Sequence, residues 1–169
     1  MILEEETPLC GGLWQRKLSV AIDKTHWNQI HQLRETRLKS LAWTIIHNIY
    51  PTNTLLFKMK IKPSPNCIYC QEEDTMEHFF FRCKRVKMLW VEVQKEIQIY
   101  MGTKIAINEK QVLLGAYSRD LPRRKLLQIN WAINVAKLAI SKYKYGPNRP
   151  ILDIYFTDSY MRQLWTGYK

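Results

Sequence analysis

The sequence predicts a mainly α fold with little β structure, a small helical domain gathered around one tight Cys/His cluster. Three observations carry this reading. Apolar residues recur at helical spacing over residues 35–49, 84–100 and 121–144. Glycine is scarce, six in 169 residues, in a chain that is 46% hydrophobic and 12% aromatic, so most of it can bury a core without disulfides. The stretch CIYCQEEDTMEHFFFRC, residues 67 to 83, holds three of the four cysteines and one of the four histidines.

Residues 1–24 read as a flexible lead-in, with Cys10 beside two glycines as a free thiol. A short amphipathic helix is expected over Thr25–Leu33 and a stronger one over Glu35–Ile49, where Leu38, Leu41, Ala42, Ile45 and Ile49 form a stripe that Pro51 ends. Thr52 or Asn53 caps a further helix, with Leu55, Leu56 and Met59 turned inward. KPSPN breaks the pattern and delivers the chain to Cys67. Beyond Cys83, the residues Val86, Leu89, Trp90, Val93 and Ile97 predict a helix over Lys84–Tyr100. MGTKIAINEKQ reads as a loop with one short strand. The last long helix spans Leu121–Lys144, with Pro122 in its first turn and Gly146 and Pro147 closing it. Domain organisation follows: 1–24, then a helical region over 25–100 with the knuckle at 67–83, then loop and long helix over 101–146, then an aromatic tail over 147–169.

Within the cluster, Cys67 and Cys70 are separated by two residues, Cys70 and His78 by seven, and His78 and Cys83 by four. A CxxC pair on a tight turn aims both sulfurs at one point, and the HxxxxC pair brings imidazole and thiolate to it from the other side. Three sulfurs and one nitrogen describe a closed tetrahedral zinc site, a CCHC knuckle. A closed site is structural, because no position remains for an activated water. Two other readings stay open. A redox CxxC lacks a thioredoxin-like strand and helix pattern around it, and inert buried cysteines leave the histidine unexplained. The spacer acids Glu72, Glu73, Asp74 and Glu77 read as a solvated turn. Phe79, Phe80 and Phe81 read as packing residues before base-stacking ones.

The pattern resembles the zinc-binding segment that follows the reverse transcriptase domain in non-LTR (LINE-type) retrotransposon polyproteins. The likeness rests on Cys67, Cys70, His78 and Cys83 at this spacing, on Phe79–Phe81 before the last cysteine, and on Trp90 seven residues after it. It also rests on the lead-in WTIIHNIYPTNTLLFKMKI, and it covers residues 27 to 98. It implies that the four side chains hold Zn²⁺ and that the neighbouring helices engage RNA or DNA beside a reverse transcriptase core. No YxDD-type acidic pair is present, and FTDSY does not supply one, so the resemblance carries over no catalysis.

Net charge is +11 with a pI near 9.6, which points to a polyanionic partner. The expected phosphate contacts are Arg34 and Arg37, then Lys58, Lys60 and Lys62, then Arg82, Lys84, Arg85 and Lys87. Six such contacts would give a log–log salt slope of about −4 to −5. A further group, Arg119, Arg123, Arg124 and Lys125, starts the last helix, and Lys137, Lys142 and Lys144 finish it. The rival function is a protein-interaction module that docks a polymerase or other partner through the aromatic stripes, Trp131 and the YFTDSYMRQLW tail. The N-terminus is acidic and lacks a sustained apolar run, and no stretch of about 18 apolar residues occurs, so a nuclear or cytoplasmic monomer is expected, neither secreted nor membrane-bound.

Overall fold

Helices form wherever the apolar spacing was strongest, and their order positions the cluster. A computed structural model describes residues 9–147 apart from residue 103, with side chains from residue 12 onward. The elements are α1 (Leu9–Leu18), α2 (Lys24–Gln32), α3 (Thr36–Ile46), α4 (Asn53–Lys58), a π-helical turn (His78–Arg82), α5 (Lys87–Met101), α6 (Glu109–Leu114) and α7 (Arg123–Tyr143). Among the described residues there is no strand; β structure is limited to one antiparallel bridge between Asn66 and Glu73. The aromatic tail from residue 148 onward and the side chain of Cys10 lie outside the described residues.

The long helix α7 is the centre of the packing, with α3 and α5 laid against it and α2 and α6 completing the shell. Of the face its periodicity predicts, Ile129, Ile133, Ala136 and Ile140 are buried and Leu126 is partly so, and Leu38, Leu41, Ala42 and Ile45 of α3 and Leu89, Trp90, Val93 and Ile97 of α5 close the core. Residues 1–24 were expected to be a flexible lead-in. Within that segment the structure places α1, whose Trp14 is fully buried and donates its indole N–H to the carbonyl of Ile46 at 2.7 Å. Burying a ring of this size outweighs the poor helix propensity of the two glycines.

Several local expectations are corrected. Helix α3 stops at Ile46, and Asn48 takes a left-handed φ of 55°, which swings Ile49 into solvent. Met59 is the C-cap of α4 and stands 59% exposed, and of the three residues expected to face inward Leu55 and Leu56 are only partly buried. The loop after α5 carries α6 in place of a strand. Asn108 and Gln111 start α6 with a reciprocal capping box, and Gly115 ends it at φ 95°, where a Cβ would lie 2.1 Å from the Gln29 side-chain oxygen.

Trp131 is fully buried and is therefore unavailable as a docking residue. Lys137, expected to finish a basic surface, is instead 2% exposed in the core, and burial pulls its amine pKa down to about 7. Lowering the folded value from 10.5 penalises the native state increasingly as pH falls from 10.5 towards 7. Lys137→Met is expected to stabilise the protein by about 2–4 kcal/mol at pH 7, and by less at pH 9, in urea unfolding measured at both pH values.

Candidate metal centre

The knuckle is built from two different local structures. On one side, the Asn66–Glu73 bridge closes a tight hairpin in which Cys67 N–H donates to the Glu72 carbonyl at 2.8 Å and Gln71 N–H to the Cys67 carbonyl at 2.9 Å. Gln71 takes the left-handed conformation the turn needs, with φ 61°. This turn presents Cys67 and Cys70. On the other side, His78–Arg82 winds as a single π turn in which Cys83 N–H donates back to the His78 carbonyl at 2.9 Å. Five steps along an α-helix would rotate Cys83 about 140° away from His78; the wider i→i+5 turn brings the two to one side. The HxxxxC spacing is thus the length of one π turn.

The four donor atoms of Cys67, Cys70, His78 and Cys83 lie within 4.8 Å of one another. The Cys83 sulfur is 3.9 Å from that of Cys67 and 3.7 Å from that of Cys70. A disulfide would put sulfurs about 2.05 Å apart, whereas a tetrahedron with arms of about 2.3 Å has edges of about 3.8 Å. All three are free thiols. The imidazole is buried, with no hydrogen-bond partner for either nitrogen among the described residues. Its Nδ1 lies 3.3 Å from a Glu72 carboxylate oxygen, outside hydrogen-bond geometry, which is where an outer carboxylate would orient a metal-bound imidazole. Burial, with the nearby Lys144 ammonium, lowers the His78 pKa and favours the neutral ring that a metal needs. Burial also pushes the Cys83 thiol up to about 12. A buried imidazole whose Nε2 has no partner among the described residues and three sulfurs at tetrahedral spacing fit a metal ion.

Residues 11–90 match the family described as zinc-binding in reverse transcriptase. The match takes in all four donors and ends on Trp90, whose indole N–H donates to the Phe80 carbonyl at 2.7 Å and ties α5 to the π turn. No curated protein and no solved structure matches the chain.

Beyond the matched residues, the end of α7 clasps the knuckle. Asp74, between the second and third donors, is fully buried and accepts from the Lys144 ammonium at 2.8 Å, itself 1% exposed. The Tyr145 hydroxyl donates to the other Asp74 oxygen, and the Lys144 ammonium sits 4.0 Å from the centre of the Phe79 ring. Glu77 is buried too. Burial alone would raise its carboxyl, but its own backbone N–H and the Lys17 ammonium 3.0 Å away hold it below the ordinary value. The expectation of a solvated acidic turn therefore holds for Glu72 and Glu73 and fails for Asp74 and Glu77. Phe79 and Phe80 are core residues, as expected, while Phe81 is only partly buried.

The predicted phosphate contacts separate into two groups. Arg82 forks onto Glu109 at 2.6 and 3.0 Å. Arg85 donates to the carbonyls of Lys144 and Gly146 and lies 4.3 Å from the Tyr69 ring centre, and Lys62 donates to Asn53 at 2.8 Å. These three hold the knuckle to its neighbours. Lys58, Lys60, Lys84 and Lys87 are exposed around it. Arg34 and Arg37 are exposed where α2 gives way to α3, and Arg37 borders a cavity walled by α7. Asp74 and Lys144 read as solvated charges in the sequence, because their pairing with each other and with Tyr145 joins positions 70 and 71 residues apart and no local spacing signals it.

Proposed function

We propose that this chain is a non-catalytic nucleic-acid-binding module, with Zn²⁺ held by Cys67, Cys70, His78 and Cys83, of the kind that accompanies reverse transcriptases of LINE-type elements. Zinc suits the donor set because three thiolates and one imidazole are soft, borderline ligands in a closed tetrahedron. Its part is to fix the hairpin and the π turn to each other. The observation that carries the reading is the set of exposed lysines, Lys58, Lys60, Lys84 and Lys87, mounted on the segments that enter and leave the cluster. Arg82, Arg85 and Lys62 are engaged with protein groups and Arg34 and Arg37 stand at the α2–α3 junction, so four of the nine expected contacts remain around the cluster, and these four are expected to contribute about −3 to the log–log salt slope for single-stranded RNA. A salt titration by fluorescence anisotropy measures it; a slope near zero would refute phosphate-dominated binding.

A second reading, docking of a polymerase core, is favoured by Phe57, Met59 and Ile61, three large apolar side chains exposed at the end of α4. The two separate on one variant. Replacing Lys58, Lys60, Lys84 and Lys87 by glutamine weakens RNA binding and makes its salt slope shallower by about 3 under the first reading, and leaves capture of a reverse transcriptase core intact under the second. No helix among the described residues is long and apolar enough to cross a membrane.

A further inference from the structure

The basic group Arg119, Arg123, Arg124 and Lys125 lies at the start of α7 and in the segment before it, and that region shapes a groove apart from the knuckle. Two cavities of about 410 and 470 Å³ share Thr25, Gln29 and Tyr117 as a common wall between α2 and the segment joining α6 to α7. Tyr117 is 60% exposed, an aromatic ring standing between the two depressions. Arg123 borders the first cavity, and Lys110 and Arg119 border the second, all three exposed. The one carboxylate among the lining residues, Asp23, accepts from Thr25 N–H at 2.8 Å and faces His26 at 3.1 Å, so it is already engaged at the start of α2. The α2 face supplies carboxamides: Asn28, Gln29 and Gln32 line the first cavity. Gln29 donates to the Ala116 carbonyl at 2.8 Å, but its side-chain oxygen is buried with no donor, beside Gly115, itself a wall of the second cavity.

We propose that this groove binds a single-stranded nucleic acid, one base stacked on Tyr117, its phosphates on Lys110, Arg119 and Arg123, and base edges against the carboxamides of α2. The chemistry fits part by part. An exposed ring between cations is the platform on which unpaired bases stack. Amide side chains match the donor and acceptor edges of bases, and Asn28 and Gln32 offer theirs at the first cavity. Three cations against one engaged carboxylate exclude a cationic ligand. No residue lining either cavity comes from the knuckle at 67–83, so the surface is distinct from it. The inference builds on the nucleic-acid reading above and adds a second contact surface to it.

The test uses the full chain with a fluorescein-labelled 12-nucleotide oligoadenylate, single-stranded and in duplex, and an oligoglutamate peptide of similar charge. Tyr117→Leu is expected to weaken single-strand binding by about fivefold or more with the salt slope unchanged, and to leave duplex binding as it was. The double variant Arg119→Gln with Arg123→Gln is expected to make the slope shallower by about 1.4. Unaltered circular dichroism melting of each variant, whose substituted side chains are exposed, excludes unfolding as the cause. The proposal is overturned if both groove variants bind like the native chain while Lys84→Gln with Lys87→Gln weakens binding; the knuckle reading then stands alone. It is also overturned if the groove variants lose oligoglutamate and keep the oligonucleotide. Absence of any nucleic-acid binding by the native chain would overturn both.

Discussion

Asp74→Ala is expected to destabilise the protein by about 3–5 kcal/mol, because it leaves the Lys144 ammonium buried without a counter-charge. In a chain of this length that lowers the melting midpoint by about 6–20 °C. The cost comes from the stranded charge more than from any large net worth of the pair, since two ions lose most of their attraction to desolvation when buried together. The double variant Asp74→Ala with Lys144→Met should therefore recover a good part of the loss. A double-mutant cycle by urea unfolding measures this; additive losses would show that the two groups do not depend on each other. Because Lys144 lies far outside residues 11–90, the same logic predicts that a fragment ending at Trp90 loses the clasp from α7 and folds poorly even when metal is supplied.

The second large effect concerns the metal and pH. Metal binding needs thiolates, while burial keeps the Cys83 thiol protonated, its pKa pushed up to about 12. Each thiol proton displaced on binding makes apparent affinity rise about tenfold per pH unit. His78 contributes little to this slope near neutrality, because burial lowers its pKa and the ring is already neutral there. The sign is then fixed: affinity climbs from pH 5 to pH 8, and acid releases the metal before it unfolds the helices. Competition with a chromophoric chelator across that range should give a slope above one proton per metal. A flat profile would mean that thiolates are not the ligands. Chelation at pH 7 should loosen residues 66–83 in hydrogen exchange more than the centre of α7, where Ile129, Ile133 and Ile140 are fully buried.

Helix positions were legible wherever one apolar face sufficed to define them. The stripes of α5 and α7 follow from local sequence, with α5 ending one residue past the expected Tyr100 and α7 one residue short of the expected Lys144, and so does the meeting of the four donors. Three features were not legible, each for a separate reason. Helix α1 contains two glycines and is stabilised by burial of Trp14 under Ile46, a contact 32 residues away in sequence. The π turn has a spacing signal, but a five-residue interval means little until a second pair of donors demands that His78 and Cys83 face together. The charges Asp74, Glu77, Lys137 and Lys144 read as surface residues, because acids in a turn and lysines near a helix end usually are; their burial is decided by partners distant in the chain. Helix α6, by contrast, carried a readable signature in Asn108 and Gln111 that the surrounding β-like residues obscured.

The convergence of Cys67, Cys70, His78 and Cys83 on one metal ion underlies the rest, and elemental analysis of the purified protein by inductively coupled plasma mass spectrometry tests it most directly. About one zinc per chain is expected, falling to near none in Cys83→Ser with α7 still folded by circular dichroism. A protein that is folded, reduced and free of zinc after growth in zinc-replete medium, or one whose zinc survives the loss of Cys83, would contradict it.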